Sequence, residues 1–147
     1  MAMDQALFDA AVEQLRSRWP SGSAGVAAAV RLSNDRILTG IPLDNINPAM
    51  ILCAETGPIC QAYTAGMEIT ASICVAYEPG ERGFHVLAPC GACQERLALW
   101  GPEVEVGVAN DSEAGWESKT LLQVHPHYWA AVYAEETDWP TKAEHSD

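Results

Sequence analysis

Basic residues are scarce: eight Lys and Arg stand against 20 Asp and Glu, giving a formal net charge of −12 over 147 residues. A phosphate backbone is bound by clustered Lys and Arg, and the few present here are scattered. A nucleic-acid polymer and an anionic membrane surface are therefore disfavoured as partners. A neutral or cationic small molecule fits better, and the acidity also serves solubility. Long apolar runs are missing too: none approaches the roughly 20 residues of a membrane span. There is no hydrophobic signal core behind a basic start and no Arg-rich transit segment, so a cytoplasmic protein is expected. Repeats and low-complexity tracts are absent. Five cysteines, Cys53, Cys60, Cys74, Cys90 and Cys93, form an odd set. In a reducing compartment, metal binding or catalysis is a better reading of them than a disulfide framework.

What is present is enough for one core, since 48% of the residues are apolar and the length suits one domain. Residues 1–136 are expected to form it, with 137–147 as a frayed polar tail. Leu7, Phe8, Ala11, Val12 and Leu15 mark one face of a helix from Asp4 to Trp19, with Asp4 as N-cap. Ala24–Leu32 and Ile37–Leu43 read as a hairpin around Ser33-Asn34-Asp35. The stretch Met50–Gly66 reads as a helix starting near Cys53 or Ala54, with Pro58 late enough to kink it. Ile69–Tyr77, Phe84–Ala88 and Val104–Ala109 are expected strands, Cys90–Trp100 a helix, and Pro126–Glu136 a last helix. Alternation of strands and helices after a first hairpin predicts an α/β fold, a three-layer α/β/α domain with a mixed sheet.

Two stretches carry chemistry: Cys53-Ala54-Glu55 and Pro89-Cys90-Gly91-Ala92-Cys93. Cysteines three apart at a helix start project from one face. The helix N-terminus favours their thiolates, the form that binds metal. Zinc is the default ion for thiolates in a reduced protein. A third ligand from Cys53 leaves one coordination position open, as catalytic zinc requires and structural zinc does not. A water in that position is acidified towards a pKa of about 7. Glu55, two residues after Cys53, does not share the ligand's direction and can stand beside the metal to move protons.

Zinc-dependent base deaminases share a His or Cys ligand followed by x-Glu, and later Pro-Cys-x-x-Cys. This chain carries the all-cysteine form and resembles the cytidine deaminase family, in particular its small tetrameric enzymes and their blasticidin-S deaminase relatives. Arg36–Gly40 and the Leu121-Leu122, Pro126, Tyr128, Trp129 segment add to the likeness. The resemblance implies a Zn2+-dependent hydrolase that converts a free cytosine-type nucleoside to its uracil counterpart and ammonia. It implies that Cys53, Cys90 and Cys93 hold zinc. Glu55 would protonate ring nitrogen N3 during attack at C4, and then the leaving ammonia. It also implies that the Ala54 N–H holds the base carbonyl and the Ala88 C=O accepts from the departing amino group. A homotetramer is implied, in which neighbouring subunits complete each pocket and Tyr128 and Trp129 serve as substrate lid, core or subunit interface.

The departures concern substrate. Relatives that use plain cytidine offer an Asn and a Glu to the ribose, where this chain has Pro42 and Asp44. Pro42 has no side-chain donor or acceptor. Ala24 stands where an aromatic residue packs on the base, and Thr56 where many relatives carry an Arg, for which Arg96 is the candidate substitute. A deaminase of blasticidin S or another substituted cytosine nucleoside is thus the rival within the class. Outside it, a non-catalytic zinc protein used for assembly or ligand sensing is the alternative. His85, His125, His127 and His145 fit no ligand spacing, and Cys60 and Cys74 read as core thiols.

Overall fold

The computed structural model describes residues 2–133 and 135–140. The first helix, α1, spans Gln5–Arg18, and the Asp4 side chain caps it by accepting from the Leu7 N–H at 2.9 Å. Its Leu7, Ala11 and Leu15 are buried. The hairpin follows as β1 (Gly25–Leu32) and β2 (Ile37–Gly40), paired antiparallel with Val30 opposite Leu38. β2 stops earlier than its apolar pattern suggests because Pro42 offers no N–H to the ladder. Beyond it, Leu43 and Leu52 exchange both backbone hydrogen bonds at 3.1 Å and pinch off an exposed loop between them.

Helix α2 runs Thr56–Thr64, starting later than expected. Pro58 thereby falls in the first turn, where an N–H would have no intrahelical partner, and no kink is needed. The helix ends in a Schellman motif: the Gly66 N–H bonds Tyr63 O, and the Met67 N–H bonds Ala62 O. Gly66 takes the left-handed φ of 65° that this motif asks for. Then come β3 (Ile69–Tyr77), β4 (His85–Leu87), α3 (Gly91–Leu97) with a 3₁₀ turn at Ala98–Trp100, and β5 (Glu105–Ala109).

Three features differ from the sequence reading. Trp116–Thr120 forms an edge strand, β6, antiparallel to β5. Its run Trp-Glu-Ser-Lys-Thr is too polar to announce a strand, but one edge of the sheet needs no fully apolar face. In place of a last helix over Pro126–Glu136, there is a four-residue helix α4 (Leu121–Val124) and a 3₁₀ turn at Trp129–Val132. The Thr120/Gln123 capping box fixes where α4 begins. After it, aromatic contacts govern the chain: Tyr128 packs on Trp139 with centroids 4.6 Å apart. Trp139, inside the stretch expected to fray, is 2% exposed and donates through Nε1 to His125 O at 3.1 Å. Ala134 and residues 141–147, most of the expected tail, lie outside the described residues.

The sheet order is β2-β1-β3-β5-β6, with β4 also on β3. Only β3 and β5 run parallel, which makes the sheet mixed. Side chains alternate between two faces. Ala27, Ala29, Ala71, Ile73 and Val75 pack with α1, whereas Val30, Leu32 and Val106 pack with Ile59 and Ala62 of α2 and Leu97 of α3. The result is the expected α/β/α sandwich. One edge of β3 is shared between two strands: Ala71 and Ser72 face β5, and Cys74–Ala76 face β4. This split brings the end of β4, at Leu87, beside Cys74 in mid-sheet, three residues before Cys90.

Candidate metal centre and active site

The small residues of the sheet centre make room for the site. Ala28 of β1 and Cys74 of β3 are register partners and form a buried cluster with Ala54. Gly40 of β2, the other partner of Ala28, lies tight against the same turn. A Cβ added there would sit 2.5 Å from Ala54 O and 2.5 Å from Pro58 Cδ. The turn carrying Cys53, Ala54 and Glu55 is therefore pressed onto the sheet through a glycine.

Cys53 opens this turn, and Glu55 occupies the N-cap position of α2 without a side-chain capping bond. Cys90 is the N-cap residue of α3, and Cys93 lies in its first turn. The three sulfurs all fall within 4.8 Å of one another. Cys53 Sγ and Cys90 Sγ are 3.4 Å apart. Cys93 is buried, Cys53 half-buried and Cys90 exposed, so the cluster is closed beneath and open at Cys90. Glu55 beside it is 5% exposed.

The environment treats the thiols unequally. Burial pushes the Cys93 thiol up, and the neighbouring Glu55 and Cys90 charges add to this. Cys53 is raised first by its hydrogen bond with Cys90 and then by burial. For Cys90, burial acts upward but is outweighed by donation from the Cys93 and Ala92 N–H groups and from the other two thiols, so its pKa is lowered. Cys74, under the floor, is raised by burial.

A zinc ion with Zn–S bonds of about 2.3 Å in tetrahedral geometry separates its sulfurs by roughly 3.8 Å. The cluster spacing fits that requirement, and three soft donors match zinc in type. A side chain also reaches the sulfurs from outside the cluster: Arg96 Nη1 lies 3.8 Å from Cys93 Sγ and 3.3 Å from Thr56 Oγ1. Its position in the last turn of α3 could not be related to α2 from sequence alone.

The remaining residues singled out in the sequence are more dispersed. Ala54 is buried beside the cluster, and Ala88 is exposed at the exit of β4. Pro42 is half-buried, whereas Asp44 is exposed in the loop that leads to Cys53. Ala24 is exposed ahead of β1; Val26, two residues on and on the same face, packs against the Ala28–Ala54–Cys74 cluster instead. Sequence reasoning missed Val26, although the period-two pattern of β1 contains it. Tyr128 and Trp129 both bind the Glu95 carboxylate, at 3.0 Å and 3.1 Å, which ties them to α3 two residues past Cys93.

No protein-family model matches the chain. The cytidine deaminase of Bacillus anthracis has a crystal structure that superposes with a TM-score of 0.83 at 38% identity, covering 90% of this chain and 93% of that one. The cytidine deaminase of Mycobacterium tuberculosis is 32% identical over 83 residues, which is 56% of this chain and 59% of that protein. The chain thus spans under two thirds of that curated relative's length in the matched stretch. The blasticidin-S deaminase of Bacillus cereus is 24% identical over 104 residues, 68% of this chain and 74% of that protein. The three sulfurs and the buried Glu55 on this fold, with the extent of the Bacillus anthracis match, establish that the chain belongs to the cytidine deaminase family.

Proposed function

We propose that the protein is a zinc-dependent hydrolytic deaminase of free cytosine-type nucleosides. The convergence of three cysteine sulfurs beside a buried glutamate carries this reading. Cys53, Cys90 and Cys93 would hold zinc. Bound there, zinc supplies a Lewis acid that makes water nucleophilic at neutral pH. Glu55 takes a proton from the attacking water and delivers it to N3 as the oxygen joins C4. Glu55 then takes the second proton, from the C4 hydroxyl, and passes it to the amine as the C4–N bond breaks and the C4 carbonyl forms, so water and nucleoside become the uracil nucleoside and ammonia. The Ala54 N–H donates to the base carbonyl, and the Ala88 C=O accepts from the amino group. These backbone contacts orient the ring without adding charge.

The net charge of −12 supports a free nucleoside over a polynucleotide. Pro42 and the exposed Ala24 favour a second reading, a substituted cytosine nucleoside such as blasticidin S, in which Asp44 would meet a sugar hydroxyl or a cationic group. Incubating the zinc-loaded protein with cytidine, and separately with blasticidin S, is expected to give a saturable loss of the cytosine ultraviolet band with at least one. The faster substrate assigns the specificity. No change with either, from folded and zinc-loaded protein, would defeat the proposal and leave a non-catalytic zinc protein.

The assembly proposed is a homotetramer, in keeping with the apolar residues left uncovered on one chain. Leu43, Ile46, Met50, Ile51 and Leu52 are exposed on the loop just before Cys53. Five exposed apolar side chains on one short loop suit burial by a partner, and a second subunit there would also wall the open side of the site. Sedimentation at assay concentration is expected to give four times the 15.8 kDa chain mass; a monomer would remove this part of the reading. No helix among the described residues is long and apolar enough to cross a membrane, and the free cysteines accord with the cytoplasmic location proposed.

A further inference from the structure

We infer that Arg96 is the positioning cation of the metal centre, holding Cys93 and offsetting the negative charge of the three-thiolate cluster. The inference rests on the metal-site reading above. With the ion bound, three thiolates and Glu55 would place four negative charges around a site in which Cys93 and Glu55 are buried. A divalent ion would offset only half of that charge. Buried charge without a nearby counter-charge is expensive, so a further cation is needed within reach of the sulfurs.

Arg96 meets that need by geometry. Its Nη1 lies 3.8 Å from the sulfur of Cys93, the buried member of the triad, and 3.3 Å from Thr56 Oγ1. Thr56 is the first residue of α2 and is 8% exposed, so the hydroxyl is a fixed acceptor. One guanidinium thus joins α3, which carries Cys90 and Cys93, to the start of α2, which follows Cys53 and Glu55. The fork geometry allows hydrogen bonding in two directions at once, which an ammonium on a flexible stem does less well. Three other cations are engaged away from the site: Arg31 pairs with Asp4, Lys119 with Glu117, and Arg16 stacks on Tyr77. A residue bound to a metal ligand in this way orients the ligand and tunes its affinity for the ion.

A plainer role also exists, because a cation in the last turn of a helix favours that helix whatever lies nearby. Zinc affinity separates the two. Competition with a chromophoric chelator, read on purified protein without substrate, is expected to show zinc bound about 10–100-fold more weakly in Arg96→Gln than in the parent. Arg96→Lys should recover part of the loss. The double variant Thr56→Arg with Arg96→Gln, which returns a guanidinium to the same space from α2, should recover more. Thermal unfolding of the metal-free Gln variant should stay close to that of the metal-free parent.

Parental zinc affinity in Arg96→Gln overturns the inference and leaves the metal site standing. So does a metal-free stability loss that Lys cannot repair, since it would mark a purely structural residue. If Arg96→Gln fails to fold, the Lys variant decides alone, by weakened zinc binding or by parental binding. If the parent itself binds no zinc through its cysteines, the inference and the site reading fall together.

Discussion

Replacing Glu55 by Gln is expected to lower kcat by about 10²–10⁴-fold, or about 2.7–5.5 kcal/mol in the barrier, the usual contribution of a positioned acid–base group. The substitution keeps size and shape at a site that is 5% exposed, so packing is preserved. Glu55 makes no capping bond to the helix behind it, and the start of α2 does not depend on its carboxylate. Zinc content should therefore equal the parent's, because the three sulfurs are untouched. The loss should fall on kcat more than on KM, since the proton transfers occur after the nucleoside is bound. A Gln variant with parental turnover would remove Glu55 from the mechanism, and an inactive variant that had also lost zinc would point to a structural role instead.

The candidate site was legible in the sequence because its parts are local. Cys90 and Cys93 sit one helical turn apart, and Glu55 stands two residues from Cys53, spacings that the backbone converts directly into geometry. The same holds for α1, whose cap and apolar stripe lie in one continuous segment, and for β3, whose apolar run spans Ile69–Tyr77 as expected. What the sequence hid depends on contacts between distant segments. Arg96 is 40 residues from Thr56, and nothing in either neighbourhood reveals their contact. The last helix failed to appear because Tyr128 and Trp129 are drawn to Glu95, and Trp139 to the core, against the local preference of an alanine-containing stretch. β6 was invisible for the opposite reason, since pairing with β5 supplies what its polar sequence does not.

Gly40→Ala is the second change with a large expected effect, although Gly40 bears no functional group. The added methyl would lie 2.5 Å from a backbone carbonyl oxygen, Ala54 O, and 2.5 Å from a proline ring carbon, Pro58 Cδ. Neither neighbour is the free end of a flexible side chain, so relief requires the backbone of β2 or of the 53–55 turn to move. Overpacking of this kind costs about 1–3 kcal/mol, and each kcal/mol lowers the melting temperature by about 2–4 °C in a chain near this size. The turn is the softer side, because β2 is held by four register pairs with β1. Movement there displaces Cys53 and Glu55 together, and a shift on the order of 1 Å at reacting groups costs roughly 10²-fold in rate. Gly57→Ala serves as the control, since a Cβ at Gly57 meets nothing within 4 Å. Within helix α2, alanine there should be neutral or stabilising by about 0.5–1 kcal/mol. Gly40→Ala is expected to melt below the parent and turn over more slowly, while Gly57→Ala melts at or above the parent and keeps its rate. Equal behaviour of the two would mean that Gly40 does not hold the catalytic turn against the sheet.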